Sequence, residues 1–186
     1  MQAISFTEPE SCFSCGRMLR SLLLASLLSA AAVRALAADP ILTVISPEKT
    51  LVLGAAEFGK LPRTEFVATD PHEKGQHHYS GVAVRDLLAQ VGAQFGEKLR
   101  GKALQLAVLI RSSDGYATLF ALAEFDDAFN SRTIIVADSV DGAPLAGKYG
   151  PLRLIIPGDK RAGRWARMVN SIEIVQPGAA GAKPQP

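Results

Sequence analysis

A short basic segment late in the chain carries the residue types that bind anions. Lys160, Arg161 and Arg164 lie close together, and Trp165, the only tryptophan of the chain, follows directly. Basic side chains bind phosphate and carboxylate groups through charge-assisted hydrogen bonds, and an indole ring can stack on a planar ligand. Arg153, in the apolar run that precedes the segment, would lie at the base of such a site. The pattern predicts a site for an oxyanion.

The same segment also has a purely structural interpretation. Residues 124–127 contain three acidic side chains, and solvated ion pairs with them would occupy the arginines at little gain in stability. Trp165 would then be a core residue. The sequence leaves both interpretations open.

The three histidines of the chain are the second candidate, because His72, His77 and His78 fall within seven residues. Imidazole is a common ligand of zinc, copper and nickel, so this stretch is a candidate metal site. However, adjacent residues of an extended segment point to opposite faces, and the spacing matches no closed zinc pattern. A solvated loop is the alternative.

Other catalytic signals are weak. Asp114-Gly115-Tyr116 predicts a tight β-turn between two strands. The sequence contains no Ser–His–Asp order, no phosphate-binding loop and no dinucleotide fingerprint. The acidic pair Asp126-Asp127 has no neighbours that indicate acid–base chemistry. No reaction is therefore indicated by the residues alone.

The elements that would position these residues are mostly short strands. Apolar and alternating runs predict strands, and two helices are expected, one of them opening at Gly81 with an apolar stripe that ends at Val91. The strands are expected over 41–45, 51–53, 63–69, 103–110, 116–120, 133–137, 152–156 and 171–175, the first helix over 55–61, and a short acidic helix or turn over 122–129. Because helices do not alternate regularly with strands, the pattern favours an α+β fold with a mixed, mostly antiparallel sheet and short flanking helices.

Three segments in this order resemble the sulfite-oxidase-type molybdopterin-binding domain family. They are Tyr79–Leu88 (YSGVAVRDLL), Ser112–Tyr116 (SSDGY) and Asp141–Trp165, with its DGAPL and YGPLRLIIPG stretches. The resemblance spans about residues 79–175 and implies the fold of that family. Function is a separate matter, because one fold can carry many functions.

The resemblance also implies roles for several residues. In that family, basic side chains face the pterin phosphate, the turn at 114–116 lies at the rim of the cofactor cleft, and a histidine close to residue 78 contacts the cofactor. The residues that the resemblance and the basic segment together suggest for cofactor binding are Arg153, Lys160, Arg161, Arg164, Trp165, Tyr149, Tyr116 and His78.

The chain departs from the family at the metal ligand. Molybdenum in the resembled enzymes is held by a cysteine thiolate, whereas the two cysteines of this chain, Cys12 and Cys15, lie at its beginning. If residues 1–37 are removed, no cysteine remains. We therefore expect no catalysis of the sulfite oxidase type and no cofactor, with bound molybdopterin as the alternative.

Residues 1–37 resemble a leader with a secretory signal peptide. Arg17 and Arg20 flank Met18, an apolar run follows over 22–33, and Ala35-Leu36-Ala37 has the small-residue pattern of a cleavage site. The run is short for a bilayer span of about 20 residues, so an uncleaved anchor is the less favoured alternative. We expect Met18 to be the true start and the protein to be periplasmic or secreted.

Composition limits the remaining function classes. Residues 38–176 have the length of one domain, and 177–186 are predicted to form a disordered tail. Removing the three Arg and two Glu of the leader leaves 17 basic and 16 acidic residues. A nearly neutral chain argues against nucleic-acid binding, and we expect no stable membrane insertion after cleavage.

These observations predict an exported, molybdopterin-binding-domain-like protein that is a non-catalytic binding or accessory module with a basic anion-binding cleft. One alternative is a molybdopterin-dependent oxidoreductase component that binds the pterin without a cysteine ligand. Another is a periplasmic metal-binding protein that uses His72, His77 and His78. The expected partners are a small anion or pterin and a periplasmic redox protein.

Overall fold

The computed structural model describes residues 39–177, so the predictions for the leader and for the tail after residue 177 lie outside it. Within these residues the chain forms ten strands, two α-helices and short 3-10 turns. The strands are β1 (Pro40–Ile45), β2 (Thr50–Gly54), β3 (Thr64–Thr69), β4 (Gln76–Ala83), β5 (Ala107–Ser112), β6 (Ala117–Ala121), β7 (Ile135–Val140), β8 (Ala143–Pro144), β9 (Arg153–Ile155) and β10 (Val169–Val175). The helices are α1 (Ala55–Gly59) and α2 (Val84–Gln90).

The first sheet has the strand order β2-β1-β10-β5-β6. Strand β1 runs parallel to β10, with Thr43 opposite Ser171, and all other strand pairs of this sheet are antiparallel. The turn between β5 and β6 contains Asp114 and Gly115, and the φ of Gly115 is +87°, a conformation that glycine adopts without steric cost.

The second sheet is antiparallel throughout and has β7 at its centre. One edge of β7 pairs with β4, which in turn pairs with β3. The other edge pairs with β9 near Ile135 and with β8 near Ser139. Strand β9 therefore places Arg153 in the interior, opposite Ala137.

One hydrophobic core connects the two sheets and the helices. The inward-facing side chains of the strands alternate with exposed ones, and α2 contributes its apolar stripe of Val84, Leu87 and Leu88, all of which are fully buried. Each fully buried side chain of this size stabilises the fold by roughly 1.5–3 kcal/mol relative to an exposed one. The predicted α+β fold with mixed, mostly antiparallel sheets is confirmed. Within residues 39–177 no helix is both long and apolar enough to cross a bilayer.

The largest difference between the predicted and the observed elements lies in the segment that precedes α2. The helix predicted from Gly81 begins at Val84, and the preceding residues form strand β4, which includes the predicted loop residues His77 and His78. Gly81 has a packing role instead, because a Cβ atom at this position would lie 2.2 Å from the carbonyl oxygen of Val136. The glycine that resembled a helix start therefore allows β4 and β7 to approach closely.

Two other boundaries also differ from the prediction. The strand expected over 103–110 begins at Ala107, because Gly101–Gln105 forms a 3-10 turn. The acidic helix expected over 122–129 is a 3-10 turn at Leu122–Phe125. Both segments are short, and periodicity over so few residues does not distinguish a regular element from a turn.

Candidate functional site

Three segments that are distant in sequence enclose one cleft of about 230 Å³. They are the loop between β3 and β4, the turn between β5 and β6, and the segment that leads into β10. The residues lining the cleft are His72, Asp114, Tyr116, Ala162, Gly163, Trp165, Ala166 and Arg167. Imidazole, carboxylate, phenol, indole and guanidinium groups thus border one space.

The two aromatic side chains of the cleft differ in their exposure. Trp165 is 2% exposed and belongs to the hydrophobic core, so it forms a fixed wall. Tyr116 is 47% exposed, and its hydroxyl donates a hydrogen bond to the carbonyl oxygen of Gly163. The Asp114 carboxylate accepts a hydrogen bond from the backbone N–H of Tyr116 at 3.0 Å, which fixes the turn. The predicted turn is therefore part of the cleft.

Arg167 is the cleft residue that the sequence reasoning missed. It is half-buried, and its guanidinium carbon lies 5.8 Å from the centre of the Tyr149 ring. Its backbone forms an antiparallel bridge with Arg153. The sequence signal was its spacing of two residues from Trp165, because alternate residues of an extended segment face the same side.

A buried ion pair lies behind the cleft. Arg153 is 2% exposed and donates from Nη1 to Asp70 Oδ2 at 2.7 Å, and the Tyr79 hydroxyl donates to the same oxygen at 2.9 Å. Burial alone raises the pKa of Asp70, but hydrogen bonds from Arg153 and from the backbone N–H of His72 lower this pKa to about 2. A buried guanidinium needs a paired acceptor, and Asp70 supplies it, although Arg153 does not line the cleft.

Tyr149 covers the Arg153 guanidinium. The guanidinium carbon lies 4.7 Å from the centre of the Tyr149 ring and 5.3 Å from that of the Trp165 ring. The Tyr149 hydroxyl donates to Glu73 Oε1 at 2.9 Å. Tyr149 therefore contacts the back of the site rather than the cleft itself.

Comparison with known families identifies the family of this chain. A family model described as oxidoreductase molybdopterin binding domain matches residues 48–181, which is most of the chain. The chain belongs to this family. All three segments that carry the resemblance, 79–88, 112–116 and 141–165, lie within the matched range. No curated protein sequence matches the chain.

A solved structure supports the fold assignment. The chain is similar to a protein in the crystal structure of the sulfane dehydrogenase SoxCD from Paracoccus pantotrophus, with a TM-score of 0.57 and 20% sequence identity. The similarity covers 74% of this chain and 38% of that protein, so this chain spans well under half of its length. At this identity the similarity establishes the fold that this molybdopterin-binding domain shares.

The structure does not bring the predicted basic cluster together. Arg164 bonds to Asp159, with Nη2–Oδ1 at 2.8 Å, and to Glu124, with Nη1–Oε2 at 2.8 Å. The hydrogen bond to Asp159 is the main reason that the pKa of Arg164 is raised. Lys160 and Arg161 are exposed, and neither lines the cleft. For Arg164, the alternative of ion pairs with the acidic stretch describes the structure.

The three histidines also have separate surroundings. His77 Nδ1 lies 2.7 Å from Asp141 Oδ2, and His78 Nε2 lies 3.7 Å from Glu65 Oε2. Only His72 lines the cleft. In the described part of the chain, no group of three or more His, Cys, Asp or Glu side chains is arranged to hold a metal ion. The predicted convergence of the histidines on a metal, and the expected contact of His78 with the cleft, are not found, because neighbouring residues of β4 face opposite sides of the sheet.

The family name implies a molybdenum–molybdopterin cofactor, and the described residues can be tested for a metal ligand and for a cleft of sufficient size. Residues 39–177 contain no cysteine, so this part of the chain supplies no thiolate to molybdenum. The cleft is also smaller than the roughly 300–1,000 Å³ that is typical of sites for drug-sized ligands. A complete cofactor with a protein thiolate on the metal does not fit these residues, so we derive no redox step through it.

Proposed function

We propose that this protein is an exported, non-catalytic binding or accessory module of the molybdopterin-binding family whose cleft binds a small ligand with an anionic group. The observation that carries the proposal is that Arg167, His72 and Trp165 line the same cleft. A guanidinium can bind an oxyanion through two hydrogen bonds, and a rigid aromatic wall favours a planar ligand. The site thus offers charge and shape for binding.

The acidic group at the rim narrows the ligand class. Asp114 is exposed and borders the same cleft as Arg167. A simple anion would be repelled by this carboxylate, whereas a ligand with ring N–H donors and an anionic substituent would satisfy both charges. A pterin with a phosphate or carboxylate group has this combination. We therefore favour a pterin-type anion over a free oxyanion.

The proposed binding is tested by calorimetry and thermal unfolding with two probes, inorganic phosphate and 6-carboxypterin, at constant ionic strength. Ligand binding raises the melting temperature as the free concentration passes Kd. We expect Arg167→Gln to lose this stabilisation and Arg164→Gln to retain it, because only Arg167 lines the cleft. If the wild type shows no heat of binding and no stabilisation with either probe, the binding proposal is refuted.

The family membership supports one second candidate, an oxidoreductase component that holds the pterin without a protein thiolate. Elemental analysis of the protein purified from its own host separates the candidates. Stoichiometric molybdenum would favour the oxidoreductase component, and stoichiometric zinc or copper would favour the metal-binding alternative. We expect neither.

Mass spectrometry of the same preparation should show a chain that begins at Ala38 without lipid, whereas an intact N-terminus would contradict the proposed export.

A further inference from the structure

Two walls of the cleft are each attached to one member of the same buried ion pair. His72 lies on the loop between β3 and β4, and Trp165 lies on the segment before β10, more than 90 residues later. The loop is joined to Asp70, whereas the Trp165 ring lies against Arg153. The relative placement of the two walls therefore passes through the Asp70–Arg153 contact at 2.7 Å.

Asp70 organises the loop that carries His72. Its Oδ1 accepts a hydrogen bond from the backbone N–H of His72 at 2.7 Å. Its own backbone closes the loop, because its N–H donates to the carbonyl of Gly75 at 2.8 Å and its carbonyl accepts from the N–H of Lys74 at 2.7 Å. The carboxylate is fully buried. The backbone conformation of the loop at His72, and with it the position of His72 in the cleft, thus depends on Asp70.

Arg153 plays the corresponding role for Trp165. Its guanidinium carbon lies 5.3 Å from the centre of the Trp165 ring and 4.7 Å from that of the Tyr149 ring. Tyr79 meets the Trp165 ring edge-on, with ring centres 5.9 Å apart, and donates its hydroxyl to Asp70 at 2.9 Å. The guanidinium of Arg153 thus contacts two aromatic rings as well as carrying a charge.

Arg153 has one hydrogen-bond acceptor in the described part of the chain. Its Nη1 donates to Asp70, whereas Nε and Nη2 are buried and have no acceptor among residues 39–177. The protein contacts of the guanidinium are therefore one ion pair and the two aromatic rings.

We infer that Arg153 and Asp70 are positioning residues that hold Trp165 and His72 at their places in the cleft without touching the ligand. The inference rests on the proposed binding function and specifies its supporting layer. Outer-shell partners of metal ligands change affinity or activity by about 10–100-fold when they are lost, and we expect an effect at the lower end of this range here. The competing view is that the pair only stabilises the fold.

Arg153→Lys tests the inference, because lysine keeps the positive charge but has no planar group to pack against the two rings. Trp165 is the only tryptophan of the chain, so the fluorescence of the folded protein reports on this one wall. We expect Arg153→Lys to make Trp165 several-fold more accessible to acrylamide quenching and to weaken binding of 6-carboxypterin about tenfold. Arg63→Lys is the matched control, because Arg63 also pairs with an aspartate, Asp138, at 2.9 Å, but lies outside the cleft.

If Arg153→Lys does not fold, Tyr79→Phe replaces it, because this change removes only the hydroxyl that bonds to Asp70. A folded variant with a lower melting temperature but unchanged quenching and unchanged Kd would show that the pair is purely structural and would overturn the inference. Failure of the wild type to bind either probe would refute the proposed function alone. The quenching comparison would then still decide whether Arg153 positions Trp165.

Discussion

Two arginine–carboxylate clusters, one around Arg153 and one around Arg164, differ mainly in their access to water. The side chains of Arg153 and Asp70 are 3% and 1% exposed. In the second cluster Arg164 is 37% exposed and joins Asp159 and Glu124, and Arg132 bonds to the same two acids. The chemistry of the pairs is the same, but the solvent around them is not.

The comparison shows that the number of ion pairs is a poor guide to their importance. A solvated pair exchanges water for a protein partner at little net gain, typically about 0–1 kcal/mol. A buried pair adds little stability over apolar packing, but removing one partner leaves an uncompensated charge in the interior. The single contact at Arg153 should therefore matter more than the network of four residues at the surface.

The largest expected effect is that of Asp70→Asn. This change leaves the buried Arg153 charge without its carboxylate, and such losses cost about 3–5 kcal/mol. Unfolding in urea should show this decrease, with Glu124→Gln, whose side chain is 29% exposed, as the control in the other cluster at about 1 kcal/mol or less. Equal losses in the two variants would mean that burial does not separate the clusters.

An intermediate effect is expected on acidification. The pKa of Asp70 is about 2 in the folded protein, below the value of about 3.9 for an unperturbed aspartate. A lowered folded pKa contributes stability above pH 4 that is lost as the pH falls towards 2, on the order of 2 kcal/mol in total. The unfolding free energy of the wild type should decrease over this range, and that of Asp70→Asn should decrease less. Parallel pH profiles would assign the acid sensitivity to other carboxylates.

The smallest effect is expected for Arg164→Gln. Its partners remain bonded to Arg132, and the group is more than a third exposed, so the loss should be at most about 1 kcal/mol. Part of this difference should disappear at high salt, because mobile ions screen exposed charges. A loss as large as that of Asp70→Asn, independent of salt, would show that the surface network carries the fold.

The sequence predicted the fold more completely than the site. Strands such as β3 and β6 alternate polar and apolar residues, and the period of two is a local property that needs no knowledge of the partners. Strand β4 was missed because its polar histidines and Gly81 conceal the alternation, and the close approach to Val136 that requires the glycine is a tertiary contact.

The sequence singled out three residues that line the cleft, Trp165, Tyr116 and His72, although His72 was singled out only as a metal ligand. Two assignments failed for lack of tertiary information. The partner of Arg153 is Asp70, 83 residues away, and no local pattern marks this aspartate as buried. The choice between Arg164 and Arg167 depends on which side of the backbone faces the cleft, and residues 162–164 form a 3-10 turn that directs Arg164 towards Asp159.

The place of β10 between β1 and β5 has a consequence for the order of folding. Strands β1 and β2 form one local pair and β5 and β6 another, and the last strand of the domain joins them. A ribosome that has not yet released residues 169–175 therefore holds a chain whose first sheet consists of two unconnected hairpins. Because contacts between residues distant in sequence form slowly, closure of this sheet must follow the synthesis of residues 169–175. Until residues 169–175 are available, the two hairpins remain unconnected and the first sheet stays incomplete.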